Sequence, residues 1–123
     1  MISRTNNLKN RGKVRITSGE WRNRNLEVPD IDGLRPTSER VRETLFNWLM
    51  PSIHKSICLD LFAGSGSLGF EALSRGAKHC TFVEKSKLAF RQIKTTRTSL
   101  NAMNSEAHNC DAIDFLSSVH NHN

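Results

Sequence analysis

The 123-residue sequence contains no tyrosine, only three prolines and only three cysteines. With 37% hydrophobic and 24% charged residues, its composition is that of neither a collagen-like repeat nor a disordered tail. A chain of this length can form one hydrophobic core, but it is too short for a second domain of ordinary size. We therefore expect one folded unit.

Long apolar runs are also missing. No run approaches the roughly 18 residues needed to cross a membrane, and residues 1–20 are polar and basic, without the apolar region of a signal peptide. These absences predict a cytoplasmic protein with no membrane partner. The spacing of Cys58, Cys80 and Cys110 fits neither a disulfide framework nor a C-x-x-C metal site, so we predict reduced and mostly buried thiols.

Histidine gives little sign of a metal or a nucleophile site. His120 and His122 could form a metal-binding pair, but no cysteine or acid joins them at ligand spacing. The other histidines are isolated, and no Ser-His-Asp arrangement is evident. We predict no metal site.

Positive charge is concentrated at the start of the chain. Residues 1–24 hold seven Lys or Arg and one acid, Glu20, so this segment carries the whole formal charge of +6. A cationic arm favours a polyanionic partner because each cation placed on a phosphate releases a counterion, although a solubilising tail has about the same weight. Trp21 lies among Arg15, Arg22 and Arg24 and favours nucleic acid, since an indole can stack on a base; a core position fits it equally well.

The first half of the chain predicts a hairpin and a helix. Val14 and Ile16 alternate with polar residues, and a Ser-Gly turn follows, which is typical of a short antiparallel hairpin. Thr37 or Ser38 is a suitable N-cap for a helix that we expect to end at Pro51. Four apolar residues recur along this helix at helical spacing: Val41, Leu45, Trp48 and Leu49.

From Ile57 onward, strand and helix patterns alternate. We predict strands at 57–62, at 80–83 and, more weakly, at 107–110. Helices are expected at 67–74 and 86–101, with a last helix carrying Ile113, Leu116 and Val119. Such alternation predicts a doubly wound, Rossmann-like parallel sheet of the α/β class.

A glycine-rich turn follows the first of these strands. Residues 64–69, GSGSLG, match G-x-G-x-x-G, which alone suggests a dinucleotide site. Asp60, however, stands four residues before Gly64, where its carboxylate would repel a pyrophosphate. S-adenosylmethionine has no phosphate and carries a sulfonium and an ammonium group. The turn therefore favours S-adenosylmethionine as cofactor, and a nicotinamide enzyme is the disfavoured alternative.

Two further acids follow the next two strands. Glu84 could accept hydrogen bonds from both ribose hydroxyls of the cofactor, a role compatible with NAD as well. Asp111 could accept from the adenine amino group and Ala112 could offer its backbone amide, although a helix N-cap explains Asp111 almost as well. Because the carboxyl ends of parallel strands share one edge, we expect a single cofactor site there.

Four segments together resemble a known family. Residues 14–22 (VRITSGEWR), 34–49 (LRPTSERVRETLFNWL), 60–69 (DLFAGSGSLG) and 71–75 (EALSR) are similar to the bacterial 16S ribosomal RNA guanine-N2 methyltransferases. The likeness runs from about residue 13 to about residue 116. It implies a class I methyltransferase fold, S-adenosylmethionine as methyl donor, and a guanine of 16S ribosomal RNA, free or in the small-subunit particle, as acceptor.

The resemblance, joined to the reasoning above, divides the chain into residues 1–36, a basic arm with an RNA-contacting hairpin, and residues 37–123, a partial cofactor-binding domain. The expected cofactor-binding residues are Arg35, Thr37, Asp60, Phe62, Ala63, Gly64, Ser65, Gly66, Gly69, Glu84, Asp111 and Ala112. The expected RNA-binding residues are Arg11, Lys13, Arg15, Trp21, Arg22 and Arg24. For Arg40 and Arg42, a functional contact and a position on the solvated face of the helix have equal weight.

One departure from the family concerns the chemistry. Family members continue with a fourth strand that ends in Asn- or Asp-Pro-Pro-Tyr or Phe, and no proline follows Pro51 here. That motif would orient the guanine amine, whose lone pair is delocalised into the ring. We therefore expect a sheet truncated after about three strands, assign no catalytic residue, and expect no turnover by this chain alone. The alternative is a non-catalytic RNA-binding or vestigial cofactor-binding fragment.

Overall fold

A computed structural model describes residues 12–29 and 37–121, with the side chains of residues 120 and 121 excepted. The expected roles of Arg11 and Arg35, and the pairing of His120 with His122, therefore lie outside the described residues.

The described chain forms an antiparallel hairpin followed by an α/β unit, as predicted. Its elements are β1 (Lys13–Arg15), β2 (Asn25–Glu27), α1 (Glu39–Ile53), β3 (Ile57–Asp60), α2 (Ser67–Ser74), β4 (His79–Val83), α3 (Lys87–Leu100), β5 (Ser105–His108) and α4 (Ala112–Asn121). Strands β1 and β2 pair with each other, and β3, β4 and β5 form a parallel sheet in that order.

The parallel register brings three loops together. Asp60 lies opposite Phe82, and Val83 lies opposite His108, so the three strands end side by side. We call this side of the sheet the carboxyl edge. The glycine turn, Glu84 and Asp111 each follow a strand at this edge.

One face of the sheet packs against helices. Phe82 and Cys80 are fully buried there, and the rings of Phe82 and Phe70 of α2 are 4.5 Å apart. A Cβ on Gly69 would stand 2.2 Å from Phe82 Cε1, so only glycine lets α2 approach the sheet this closely. Close packing thus fixes α2, and with it the glycine turn, against β3 and β4.

The opposite face of β3 is exposed. Ile57 is 76% and Leu59 is 47% exposed, and β3 forms one end of the strand order. Helix α1 adds Trp48, which is 78% exposed. An edge strand with exposed apolar side chains favours pairing with another strand.

The structure corrects the prediction for α1. The helix continues through Pro51 to Ile53, since the hydrogen bond lost at a proline near a helix end is offset here by the burial of Ile53. The four apolar residues that recur at helical spacing are exposed, whereas Arg42 and Phe46 are buried. The α1 face that packs on α2 is therefore not the apolar one that helical spacing indicated.

Other boundaries shift by two residues. Strand β3 ends at Asp60 rather than at 62, and β5 spans Ser105–His108 rather than 107–110. The cysteines are free thiols, of which Cys80 is buried and the other two are half-buried. Within the described ranges, no helix has the length and hydropathy to span a membrane, and no three His, Cys, Asp or Glu side chains group as metal ligands would.

Candidate functional site

The glycine turn depends on its left-handed backbone. Gly64 and Gly66 have φ angles of 56° and 83°, a region that side chains disfavour. The amide of Gly66 donates to the Ala63 carbonyl at 2.7 Å, and a Cβ at Gly66 would lie 2.6 Å from the Phe70 ring. The Ser67 amide donates to Ser65 Oγ at 3.3 Å. The turn therefore carries no side chain at Gly64 and Gly66, next to the carboxyl edge where α2 begins.

Glu84 joins this turn to the next helix. Its Oε1 accepts a hydrogen bond from the Gly64 amide at 2.8 Å, and its Oε2 accepts one from the Ser86 amide at 2.8 Å. Each carboxylate oxygen has a second lone pair, so two acceptor positions remain. Glu84 can hold the turn and still accept hydroxyl groups.

Asp60 has an acceptor without a partner. Its Oδ2 is buried and receives no hydrogen bond from any residue that the structure describes. Burial raises the pKa of Asp60 to about 6, and the nearby charge of Glu84 adds to the rise, against the lowering effect of hydrogen bonds from the Gly69 and Phe62 amides. A buried carboxylate oxygen of this kind suits a cationic donor, which would restore its ionised form.

The third acid caps a helix. Asp111 Oδ1 accepts from the Ile113 amide at 2.8 Å, and Ala112 is the buried first residue of α4. Asn109 Nδ2 donates to the carbonyls of Glu84 and Lys85 at 2.9 and 3.1 Å, which ties the end of β5 to the end of β4. Asp111 thus lies at the same edge, and the N-cap role is the one that its contacts show.

The remaining predicted cofactor residues differ in access. Phe62 is 83% exposed, whereas Ala63 and Ser65 are buried within the turn. Thr37 is half-buried, and its carbonyl accepts from Arg42 Nη1 at 3.4 Å. Of the two N-cap candidates for α1, Ser38 takes the role, because its Oγ accepts from the Val41 amide at 3.2 Å.

Some of the predicted RNA-binding residues of the hairpin are exposed, and others form contacts within the protein. Lys13 and Arg22 are exposed. Arg15 pairs with Glu39 and donates to Asn23 Oδ1 at 2.6 Å, and both contacts are at the surface. The hydrogen bond with Glu39 and the negative charge of that side chain raise the pKa of Arg15. The same hydrogen bond and the positive charge of Arg15 lower the pKa of Glu39.

Trp21 was wrongly assigned to RNA. It is only 8% exposed and belongs to the hydrophobic core, so its indole cannot stack on a base. Its amide donates to Ser74 Oγ at 2.9 Å, and a Cβ at Gly19 would overlap the Ser74 carbonyl. This close docking of the hairpin turn on the end of α2 buries the indole.

A buried ionic cluster, not anticipated from the sequence, holds the hairpin. Glu71 is fully buried in α2 and accepts from Arg42 Nε at 3.2 Å, Arg75 Nε at 2.8 Å, and the amide and hydroxyl of Thr17 at 3.0 and 2.8 Å. Burial alone would raise the pKa of Glu71, but the hydrogen bonds from Arg75 and Thr17 outweigh it and leave that pKa below its usual range.

Arg42 therefore does not lie on a solvated helix face. It is fully buried, and it also donates to the Arg15 carbonyl. The only sequence signal for this cluster was the i, i+4 spacing of Glu71 and Arg75. Arg42, Glu71 and Arg75 fix the hairpin, α1 and α2 to one another, and α2 begins at the glycine turn.

With this geometry in place, comparison with known proteins identifies the family. A family model described as "Conserved hypothetical protein 95" matches residues 14–123. The chain belongs to this family. Two curated relatives are named Ribosomal RNA small subunit methyltransferase D: that of Haemophilus influenzae is 54% identical over 90% of this chain and 58% of its own length, and that of Escherichia coli K12 is 51% identical over 85% and 53%.

Solved structures agree with the assignment. A candidate methyltransferase from Escherichia coli superposes with a TM-score of 0.79 at 51% identity, covering 85% of this chain and 57% of the other. A candidate methylase from Haemophilus influenzae gives 0.69, also at 51% identity, over 85% and 56%. The class I methyltransferase fold and the resemblance are thereby confirmed. The chain spans little more than half of these relatives and matches their N-terminal portion.

Proposed function

We propose that this chain is the S-adenosylmethionine-binding and RNA-contacting part of a methyltransferase that modifies a guanine N2 of 16S ribosomal RNA in the small subunit. One observation carries the proposal: Asp60, the glycine turn and Glu84 meet at a single sheet edge in a chain whose relatives are named for methylation of that RNA. When bound, the cofactor would supply an electrophilic methyl group.

The residues at the edge fit this cofactor. The unpaired Oδ2 of Asp60 would accept from the ammonium group of the methionine part. The two remaining acceptor positions of Glu84 would take the ribose hydroxyls, and the bare backbone of Gly64–Gly66 would allow close approach. Asp111 and Ala112 would serve the adenine, while Phe62, Arg35 and Thr37 would lie near the methionine end, as the resemblance implies. A pyrophosphate would meet the charge of Asp60, which disfavours NAD.

Calorimetric titration with S-adenosylhomocysteine, the demethylated product, tests the cofactor assignment. Asp60→Ala and Glu84→Ala should each weaken binding by about 1 to 3 kcal/mol, the cost of a lost charged hydrogen bond. Glu106→Ala is the matched control, because Glu106 is an exposed acid on β5 whose carboxylate accepts a hydrogen bond from the Thr81 hydroxyl. Equal or tighter binding of NAD would refute the assignment.

Methyl transfer by the chain alone is not expected. Asp60 and Glu84 are committed to the cofactor side of the proposed site, and the sequence pattern assigns no residue to the guanine amine. Loss of such positioning can remove about 7 to 11 kcal/mol of barrier reduction. The test is incubation with labelled S-adenosylmethionine and under-methylated small-subunit particles. Transfer of label that is abolished by Asp60→Ala would show that a catalytic group lies within this chain.

A non-catalytic RNA-binding fragment is the second candidate function. It is favoured by the exposed Lys13 and Arg22 of the hairpin, which are free to meet a phosphate backbone. The two candidates separate in the titration, because a fragment that binds only RNA would show no affinity for S-adenosylhomocysteine.

A further inference from the structure

Helix α3 carries positive charge without any acid. Its sequence, KLAFRQIKTTRTSL, contains four basic residues and no Asp or Glu. Lys87, Arg91 and Lys94 are exposed, whereas Arg97 is engaged with Ser105 through bonds of 2.8 and 2.6 Å. Among the ion pairs of the described residues, none involves these three exposed cations.

The three cations share one face of the helix. At 3.6 residues per turn, Lys87, Arg91 and Lys94 fall within about 60° of one another, opposite the buried Ala89 and Ile93. Lys87 and Lys94 are about 10 Å apart along the axis at 1.5 Å per residue. We call Lys87, Arg91 and Lys94 the α3 track.

The track runs between the hairpin and the carboxyl edge. Its first residue follows Glu84 and the N-cap Ser86, so it lies beside the candidate cofactor site. At the other end of the helix, Arg24 of the hairpin donates to the Ser99 carbonyl at 3.3 Å. The positive charge of the hairpin thus reaches the last turn of α3, and the track lies between that turn and the glycine turn.

We infer that the α3 track is a second RNA-contact surface, which guides a phosphate backbone from the hairpin to the carboxyl edge. This inference rests on the proposed function, since it concerns the same RNA. Each cation would release a counterion on meeting a phosphate, which is the main source of sequence-independent RNA affinity.

A membrane surface fits the track less well than RNA. A helix that lies on a membrane needs an apolar face next to its basic residues. The exposed face of α3 instead carries Thr95, Thr98 and Ser99, and its one well-exposed aliphatic side chain is Leu88.

The test compares two variants that lose the same three units of positive charge. The track variant is Lys87→Gln, Arg91→Gln, Lys94→Gln; glutamine keeps the helix propensity of Lys and Arg. The control is Lys55→Asp, Lys78→Gln, which lowers the net charge by the same three units in the loops before β3 and β4, where both side chains are exposed. Aspartate is chosen at position 55 because Lys55 has a φ of 64°, a region that Asp tolerates.

Affinity for transcribed 16S ribosomal RNA is measured by filter binding from about 50 to about 200 mM salt, the range over which phosphate contacts weaken strongly. The track variant should lower the slope of log affinity against log salt by about 2 to 3, at 0.7 to 0.9 per phosphate contact, and the control should leave it nearly unchanged. Equal slopes in the two variants would overturn the inference, as would weakened binding to phosphatidylglycerol vesicles with RNA affinity unchanged.

Titration with S-adenosylhomocysteine in parallel separates the two proposals. If the track variant keeps the wild-type salt slope while the chain still binds S-adenosylhomocysteine, only the inference about the α3 track is overturned. A wild-type chain that binds RNA through the track but not the cofactor overturns the cofactor assignment. Absence of any RNA binding by the wild-type chain overturns the track together with the RNA part of the proposed function.

Discussion

The carboxylate of Glu84 accepts a hydrogen bond from the backbone amide of Gly64 at 2.8 Å, so the end of β4 holds the turn that follows β3. The other oxygen of Glu84 accepts from the Ser86 amide, which begins α3. One side chain therefore sets the spacing between the glycine turn and the α3 track. The candidate cofactor site is shaped in part by the protein's own contacts.

Removing that carboxylate should loosen the turn. In Glu84→Ala, the Gly64 and Ser86 amides lose a charged acceptor worth about 1 to 3 kcal/mol, so their local opening should become roughly 5 to 150 times more frequent. Hydrogen exchange measured by NMR reports each amide separately. The Ala63 amide, which donates to the Val83 carbonyl at 3.2 Å, is the internal control. Unchanged exchange at Gly64 would contradict the proposed clamp.

Asp60 should make the chain less stable as pH rises. Its folded pKa of about 6 exceeds the ordinary 3.8, so ionisation favours the unfolded chain, and stability falls as pH rises from about 4 through 6. Asp60→Asn removes this loss and should raise the free energy of unfolding by about 2 to 3 kcal/mol near pH 7.5, with little effect near pH 4. Urea unfolding at both pH values measures the difference.

An exposed acid provides the control for this pH dependence. Glu106→Gln should change stability little at either pH. A gain from Asp60→Asn that is the same near pH 4 and near pH 7.5 would show that ionisation of Asp60 is not its source.

The buried cluster at Glu71 should matter far more than a surface pair. Glu71→Gln leaves Arg42 and Arg75 buried beside a neutral amide, which should cost about 3 to 5 kcal/mol. Glu39→Gln breaks the exposed pair with Arg15 and should cost about 0 to 1 kcal/mol. Chemical denaturation measures both, and similar losses in the two variants would contradict the role assigned to burial.

Acid should weaken the same cluster. Because the folded pKa of Glu71 is lowered, its contribution is present at neutral pH and is lost as pH falls through that pKa. The stability difference between wild type and Glu71→Gln should accordingly shrink in acid. A difference that stays constant with pH would point to packing rather than to charge.

The exposed side of β3 should promote self-association of the isolated chain. Leu59→Lys places a charge on the edge strand and should shift the chain toward monomer at high concentration. Met103→Lys is the matched control, since Met103 is 83% exposed in the loop before β5. Light scattering after size exclusion gives the mass of each variant. An equal shift in both would mean that the added charge, and not the β3 surface, is responsible.

Much of the fold follows from local patterns. The alternation of Val14 and Ile16, the cap at Ser38, and the glycines at 64 and 66 each act within a few residues of chain, so they predicted the hairpin, the start of α1 and the turn. Strand ends were less certain because β5 is short and largely polar, and its bounds depend on pairing with β4.

The candidate site was predictable for a related reason. Strands that run parallel must end at one edge, so acids placed after successive strands come together whatever the packing. The sequence pattern did not predict which backbone amide each acid accepts a hydrogen bond from. The contacts of Glu84 with Gly64 and of Asp111 with Ile113 became known only from the structure.

The sequence by itself determined the order of the elements, the glycine turn and the acids beside it, because backbone preferences and periodicity act over short distances. Only the tertiary structure decided that Trp21 is buried, that Glu71 binds Thr17 across 54 positions, and that Arg24 of the hairpin reaches α3 at Ser99. After residue 24 the summed charge of the sequence is zero, and folding separates that neutral total into acids at the carboxyl edge and cations along α3. A sum over the chain carries no information about which surface each charge occupies.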